Sequence, residues 1–213
     1  MKTDDLIAAL AADASPVRRG AVWSRWALAI LVAVILSAVI MTLGWGVRPD
    51  IHQAMRTSPF WMKAGYTAAL GAAGLLMVER AGRPGVRLGW GVFLAAAAVV
   101  VILGLATHEL INLPLANWRA DMMGSSARVC PWRILAISAP VFLIAMVTLR
   151  WMAPTRPSVA GAAAGLLAGG LGATVYGLHC QETAAAFTAM WYTLGMALWP
   201  LVGAAIGRWA LRW

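Results

Sequence analysis

The chain has few charged residues for its length. Of its 213 residues, 12% are charged and 62% are hydrophobic, and the mean hydropathy is +0.76. Soluble domains contain about 25% charged and roughly 45–50% apolar residues. This scarcity of charge excludes an ordinary soluble domain, and we expect an all-α, polytopic membrane protein.

Six apolar segments, each near the roughly 20 residues that cross a bilayer as a helix, predict six transmembrane helices. An even number of spans places both termini on one side. Eleven of the 17 Lys and Arg residues fall on that side and six on the other, so the positive-inside rule predicts cytoplasmic termini. We therefore expect a cytoplasmic segment, 1–25, and a membrane domain, 26–213. The predicted spans are Trp26–Trp45, Phe60–Val78, Leu88–Ala106, Trp132–Leu149, Ser158–Leu178 and Ala184–Ile206.

The net charge of +9 comes from basic residues that stand singly or in small groups between the apolar segments. They form no basic stripe of the kind that binds nucleic acid. Basic residues at the ends of spans set membrane orientation and attract anionic lipid. We therefore expect the lipid bilayer to be a partner and expect no direct contact with nucleic acid.

Ionisable residues are absent from the middle of every predicted span. Ion-coupled transporters and pumps usually need such a group inside the membrane, so this absence argues against them. A small metal or solute transporter, or a permease subunit with a neutral pore, is the alternative function. A structural assembly factor is a third interpretation.

Small residues recur at helical spacing in the last two predicted spans. Gly161, Gly165 and Gly169 stand four residues apart in the fifth span, and Gly203 and Gly207 do so in the sixth. Small residues at this spacing let helix backbones approach closely in lipid. The pattern predicts that these two helices pack against each other.

Only two cysteines are present, and both fall at predicted outer ends of spans. Cys130 opens the fourth span and Cys180 closes the fifth, and a short inner loop joins these two spans. Their outer ends should therefore be neighbours. Three states stay open for the pair: a structural disulfide, a reversible redox pair, or a thiolate site that binds metal. Two inert, separated thiols are the fourth possibility.

A metal site is weakly indicated, because the chain has no C-x-x-C or H-x-x-x-H spacing. The pattern indicates no resident cofactor and suits at most a transient heavy-metal ion. No nucleophile–base pair or phosphate-binding glycine loop stands out, and a membrane thiol oxidoreductase would carry two cysteine pairs, so we do not expect an enzyme. The candidate metal ligands, all in predicted outer loops, are Cys130, Cys180, His179, His108 and Glu182.

The polar N-terminal segment is too short to be a domain with its own core. Thr3 would cap a short helix that has two acidic residues in its first turn and that Ser15-Pro16 ends. Its apolar face is formed by Leu6, Ile7, Leu10 and Ala14. Such a face suits binding in the groove of a protein partner, while a helix lying on the membrane surface is the other interpretation. The candidate binding residues are Thr3, Asp4, Asp5, Leu6, Ile7 and Leu10.

Four stretches, together with the spacing of the spans, are typical of one family. They are Met1–Ala11, Leu178–Glu182, Trp191–Met196 and Leu211–Trp213. Through them the chain resembles the NrsF-type negative regulators of extracytoplasmic-function sigma factors. This resemblance implies an anti-sigma factor that holds its sigma factor at the bacterial inner membrane until heavy metal or oxidant is sensed through periplasmic cysteines. By position, these would be Cys130 and Cys180, and the opening around Thr3–Leu10 would bind the sigma factor.

Overall fold

This computed structural model describes residues 3–12, 21–83 and 89–212; most of these residues are helical, and no strand occurs among them. Its helices are α1 (Thr3–Ala12), α2 (Ala21–Gly44), α3 (Ile51–Ala54), α4 (Ser58–Ala81), α5 (Trp90–Ile111), α6 (Leu115–Met123), α7 (Cys130–Arg150), α8 (Pro157–Tyr176), α9 (Ala185–Phe187) and α10 (Thr193–Ala210). A π-helical turn, Thr188–Tyr192, joins α9 to α10. The predicted all-α class is therefore confirmed.

Five helical stretches among the described residues are long and apolar enough to cross a membrane. They are Trp26–Gly44, Trp90–Ile111, Cys130–Arg150, Pro157–Tyr176 and Ala185–Ala210. The predicted second span corresponds to α4, which is 24 residues long but is not one of the five. It is less apolar because it contains Lys63, Glu79 and Arg80. The predicted start of the third span, Leu88, lies outside the described residues.

Although α4 is less apolar, it runs antiparallel to α8 along the bundle. A side chain at Gly74 would overlap the backbone of Leu167, so these two helices touch near their middles. Nearer the start of α4, the Thr174 hydroxyl donates a hydrogen bond to Thr67 Oγ1 at 2.9 Å. The polar residues of α4 thus find partners inside the protein, which is where polar groups of membrane helices are stabilised.

The helix α8 packs against α4, α7 and α10, and most of its residues are buried. A Cβ atom at Gly161 would overlap the carbonyl of Gly203, and one at Gly165 would overlap the backbone of Trp199. Glycine is therefore required where α8 and α10 cross, because only its lack of a side chain allows this approach. The predicted close packing of the last two spans is confirmed.

The last candidate membrane-spanning stretch contains the π-helical turn between α9 and α10. A π turn accommodates an extra residue and changes the direction in which side chains project. Here Tyr192 is fully buried in the core, while the indole of Trp191 donates a hydrogen bond to the carbonyl of Met122 in α6 at 2.9 Å. The turn therefore links the last helix to the segment between α5 and α7.

The short helix predicted at the N-terminus is present as α1. Asp4 and Asp5 lie in its first turn, as expected, but Thr3 is its first helical residue instead of a preceding cap. Thr3, Asp4 and Asp5 are exposed, and the side chain of Ile7 is 59% exposed. The side chains of Leu6 and Leu10 lie outside the described part, as do residues 13–20 with the predicted stop at Ser15-Pro16.

Candidate functional site: the cysteine end of the bundle

Three connecting segments meet at one end of the bundle, which we call the cysteine end. They are residues 45–57 after α2, residues 112–129 before α7, and residues 177–184 after α8. Because α2 has 24 residues, it begins about 36 Å away, at the opposite end. The N-terminal segment therefore joins the bundle at the end far from the two cysteines.

Both cysteines are free thiols buried in one apolar cluster. Cys130 is the first residue of α7 and is 0% exposed, while Cys180 follows α8 and is 3% exposed. The aromatic rings of Tyr176 and Tyr192, with centroids 5.7 Å apart, belong to the same cluster. The antiparallel helices α7 and α8 thus bring the two cysteines into one cluster, as predicted, and the structure contains no disulfide between them.

Two cationic side chains hold the segment that carries Cys180. Lys63, only 4% exposed, donates from Nζ to the carbonyl of Cys180 at 3.4 Å and to the carbonyl of Glu182. Arg48 donates from Nη1 to the same Cys180 carbonyl at 3.2 Å. Burial of a cation costs free energy unless acceptors replace water, and these carbonyls supply them. The aromatic face of Tyr192, 5.3 Å from Lys63 Nζ, adds a favourable cation–π contact.

The guanidinium of Arg48 is also paired with Asp50 in a two-pronged arrangement. Nε donates to Oδ1 at 2.8 Å and Nη2 donates to Oδ2 at 2.7 Å. The hydrogen bond with Asp50 raises the pKa of Arg48, although burial opposes it, and the same bond lowers the pKa of Asp50. Both groups are therefore charged at neutral pH, and Arg48 is fixed in position by a bidentate pair.

His179 links the segment after α8 to the ends of α2 and α7. Its Nδ1 lies 2.9 Å from the carbonyl of Gly46, and its Nε2 lies 3.1 Å from Arg133 Nη1. A carbonyl only accepts and a guanidinium only donates, so Nδ1 carries the proton and Nε2 offers its lone pair. Both ring nitrogens of His179 are therefore engaged. Arg133 is held further by the face of Trp45, 5.6 Å away.

The carboxylate of Glu182 joins the third connecting segment to the second. Its Oε1 accepts from the backbone N–H groups of Ser125 and Ser126 at 2.8 and 3.1 Å, and from their hydroxyls at 2.6 and 3.0 Å. Partial burial acts to raise the pKa of Glu182, but these hydrogen bonds together outweigh it and lower the pKa. Gly124 precedes this clamp with φ +49°, and a side chain there would meet the carboxylate.

These groups surround a polar cavity of about 320 Å³. Its lining residues come from all three connecting segments and from the adjoining ends of α7 and α8. They are Trp45, Val47, Arg48, Pro49, Ser125, Ser126, Arg133, Tyr176, His179, Cys180, Gln181 and Glu182. A polar cavity thus reaches the segment that carries one of the two cysteines.

Comparison with known proteins decides the family. A family model described as "Negative regulator of sigma F" (NrsF) matches residues 10–213. The chain belongs to the NrsF family. The anti-sigma-F factor NrsF of Caulobacter vibrioides (strain NA1000 / CB15N) is 43% identical over 217 residues, which cover 100% of both chains. The probable anti-sigma-F factor NrsF of Azospira oryzae (strain ATCC BAA-33 / DSM 13638 / PS) is 38% identical over 213 residues, again 100% of both. No solved structure matches.

Membership of the NrsF family confirms the resemblance found in the sequence. NrsF proteins are anti-sigma factors, so the partner of this chain is a sigma factor. The family is regulatory, and such proteins are generally not enzymes.

The metal ligands suggested by the sequence are not assembled in this NrsF protein. Cys130 and Cys180 share a cluster, and Cys180, His179 and Glu182 line one cavity. His108 is instead exposed in the last turn of α5 and does not line that cavity. No group of three or more His, Cys, Asp or Glu side chains suited to a metal occurs within the described ranges. A transient metal at the thiols stays a prediction.

Sequence analysis did not identify three cationic side chains that hold the segments of the site together. Lys63 and Arg133 lie just inside the ends of predicted spans, and Arg48 lies in a connecting segment where it was counted only toward membrane orientation. A lysine or arginine at the edge of an apolar run is costly unless it is paired, and this was the available signal. Asp50 is near Arg48 in the chain, but the contacts of the three cations with Cys180 and His179 span more than 40 residues, so spacing alone does not reveal them.

Proposed function

We propose that this NrsF protein sequesters an extracytoplasmic-function sigma factor at the bacterial inner membrane. Heavy-metal or oxidative envelope stress, acting on periplasmic Cys130 and Cys180, releases it. The observation that carries the proposal is the combination of full-length similarity to negative regulators of sigma F with two free thiols buried together at one end of the bundle. Two thiols in one cluster can form a disulfide or bind a thiophilic metal once a reagent reaches them and they are deprotonated.

The proposed topology has six spans and cytoplasmic termini, with α4 as the sixth crossing element. The antiparallel contact of α4 with α8, from Gly74 to Lys63, supports a crossing alongside α8. Lys63 becomes tolerable at that depth because its ammonium donates to two carbonyls. The distribution of Lys and Arg favours the side with the termini as cytoplasmic, which makes the cysteine end periplasmic.

Residues 1–25 form the proposed sigma-binding segment. A ten-residue helix such as α1 is marginal by itself in water and gains stability from a partner. The 59% exposed side chain of Ile7 offers an apolar contact, and acidic residues in the first turn complement a basic surface. The proposed contact residues are Thr3, Asp4, Asp5, Leu6, Ile7 and Leu10.

In the proposed mechanism, the signal passes from the cysteine end through α4 and α8. Chemical change at Cys180 alters the segment whose carbonyls hold Lys63, and Lys63 belongs to α4. Because α4 and α8 touch backbone to backbone, a shift of one displaces the other as a rigid element. Release then requires that the modified thiols favour a second arrangement of the bundle with weaker sigma binding.

Affinity purification tests the sigma-binding half. The tagged chain, with and without residues 2–14, is isolated from its native membrane under uninduced conditions, and co-purifying proteins are identified by mass spectrometry. We expect a sigma factor with the intact chain only. Recovery of no sigma factor from either form would contradict the anti-sigma function, and equal recovery from both would contradict the assigned segment.

A transcriptional reporter tests the sensing half. We expect the double variant C130S/C180S to repress sigma-dependent transcription at rest and to lose induction by heavy metal or oxidant. The matched control is Met190→Leu, which removes the sulfur of a 40% exposed residue at the same end and should keep induction. Normal induction of the double variant would show that the thiols are not the sensor.

A further inference from the structure

The polar cavity reaches only one of the two cysteine residues. Cys180 forms part of its wall, together with Arg48, His179 and Glu182. Cys130 is not part of that wall and is 0% exposed, because it begins α7 inside the apolar cluster. A water-soluble molecule that enters the cavity therefore meets Cys180 first.

The wall of the cavity carries more positive than negative charge. Its charged residues are Arg48, Arg133 and Glu182, and the buried ammonium of Lys63 donates to the carbonyl of Cys180 beside it. One carboxylate oxygen of Glu182 already accepts four hydrogen bonds from Ser125 and Ser126. A cavity with an excess of positive charge favours small anions.

Arg133 supplies the charge that has no local counterion. Arg48 is neutralised by Asp50, 2.7 Å away, whereas no carboxylate lies within salt-bridge distance of Arg133 among the residues described. Its contacts include the ring of His179, the face of Trp45 and a side-chain hydrogen bond with Tyr176. These contacts fix the guanidinium at the cavity wall and leave its charge uncompensated.

From access and charge together, we propose that Cys180 reacts first, with a small anionic thiol-reactive molecule that enters through this cavity, and that Cys130 reacts second. The inference rests on the proposed sensing role of the cysteines and names the class of molecule that they meet. The positive charge at the cavity wall attracts an anionic electrophile and repels a cationic one, so a small anionic electrophile is favoured.

The chemistry takes place in two balanced steps. The Cys180 thiol gives its proton to water, and the thiolate attacks the electrophilic sulfur of the reagent, forming a mixed disulfide and expelling the leaving group with its electron pair. The Cys130 thiol then attacks the Cys180 sulfur, and its proton passes to the thiolate that leaves. A Cys130–Cys180 disulfide forms, and the remainder of the reagent departs as a thiol.

Charged methanethiosulfonates test both the order and the charge preference. These reagents transfer a thioalkyl group to a thiolate and release methanesulfinate. The full chain in native membranes, as C130S or C180S, is treated with the sulfonatoethyl, methyl and trimethylammonioethyl reagents. Modification is followed by mass spectrometry, and each rate is divided by the reagent's rate with a free thiol.

We expect the thiol of C130S to react at least about tenfold faster than that of C180S. In C130S, the anionic reagent should react about three- to tenfold faster than the cationic one, as expected for one nearby charge partly screened by water. In the unmutated chain, the same treatment should yield the internal disulfide. A rate for Cys130 equal to or above that of Cys180, or a preference for the cationic reagent, would overturn the proposal.

Arg133→Gln in the C130S background isolates the charge. Gln still donates a hydrogen bond to His179, so the anionic-to-cationic ratio should fall toward one, while the rate with the neutral methyl reagent stays within about twofold. Arg119→Gln is the matched control, because Arg119 is exposed in α6 at the same end and does not line the cavity. An unchanged ratio in Arg133→Gln, or an equal fall in Arg119→Gln, would refute the role of Arg133.

The results of these reagent experiments can be distinguished from the result of the test of the proposed function. Loss of induction in C130S/C180S with the wrong reaction order would leave sensing intact and refute the route through the cavity. The correct order together with normal induction in C130S/C180S would establish the reactivity and refute sensing. The membrane experiment needs no sigma factor, so its result does not depend on the partner.

Discussion

The cysteine end and the glycine-lined interior of the bundle are stabilised by different kinds of contact. At the cysteine end, side chains from separate segments hydrogen-bond across the chain, as Lys63 does to Cys180 and Glu182 to Ser125. Where α8 crosses α10, glycines such as Gly165 let the two backbones touch, and side-chain polarity contributes little. The cysteine end therefore depends on a few polar atoms, whereas the crossing of α8 and α10 depends on close packing of the two backbones.

This difference suggests that the two regions have different roles in the response. A contact made by a few polar atoms changes when one thiol or carboxylate changes, whereas a packed backbone interface moves as a unit or not at all. A chemical event at the cysteine end would therefore displace whole helices. The middle of the bundle contains no cysteine on which the same event could act.

The largest effect is expected from a side chain placed in the glycine-lined interior. Gly165→Ala forces a methyl group onto the backbone of Trp199, which we expect to destabilise the bundle by about 1–3 kcal/mol or more. Thermal unfolding of the protein in detergent measures this. Gly104→Ala on α5 is the matched control, because nothing lies within 4 Å of its added methyl group. Equal stability of the two variants would refute the role of close packing.

At the cysteine end, Glu182→Gln should loosen one connection without unfolding the bundle. Removal of the negative charge weakens the four hydrogen bonds from Ser125 and Ser126, since bonds to a charged acceptor are the stronger kind. We expect hydrogen exchange of the two serine amides to accelerate about tenfold, with little change in the melting temperature. Unchanged exchange would show that the clamp is not a stabilising contact.

Acidification should reproduce the effect of that substitution. The folded protein lowers the pKa of Glu182, so the clamp's contribution is present above the pKa of the unfolded chain, about 4.3, and is lost as pH falls through the folded pKa. Protection of the Ser125 and Ser126 amides, corrected for intrinsic exchange, should stay level from neutral pH to about pH 4.5 and fall below it. In Glu182→Gln this step should be absent. An identical acid step in both proteins would assign it to another group.

The smallest effect is expected for an exposed ion pair of α4. Glu79 and Arg83 pair at 2.6 Å with side chains 24% and 56% exposed. Such i,i+4 pairs contribute about 0.5 kcal/mol or less, so Glu79→Gln should leave unfolding in detergent almost unchanged. A loss as large as that from Gly165→Ala would contradict the division between surface charge and backbone packing.

Most of the fold follows from local sequence. Long apolar runs located each membrane helix to within a few residues, and glycine spacing predicted the contact of α8 with α10. Helix α4 was also located, although its charged residues keep it below the hydropathy of the other five. The π-helical turn Thr188–Tyr192 was not predicted, since it depends on how Tyr192 packs against distant residues.

The site was only half predictable for a related reason. Cys130 and Cys180 were singled out because they are rare and lie at the ends of neighbouring spans. The partners of Lys63 and the clamp on Glu182 join residues that are far apart in the chain. No sequence periodicity predicts such contacts, because they form only where the three connecting segments meet.

The most direct test of the account is to follow the sigma factor while the thiols are modified. The tagged chain is recovered from native membranes before and after treatment with a thiol oxidant, beside C130S/C180S, and the bound sigma factor is quantified. The account predicts that the sigma factor is bound to both before treatment and is lost only from the chain with both cysteines. Equal loss from the double variant, or full retention by a chain whose two thiols are completely oxidised, would contradict it.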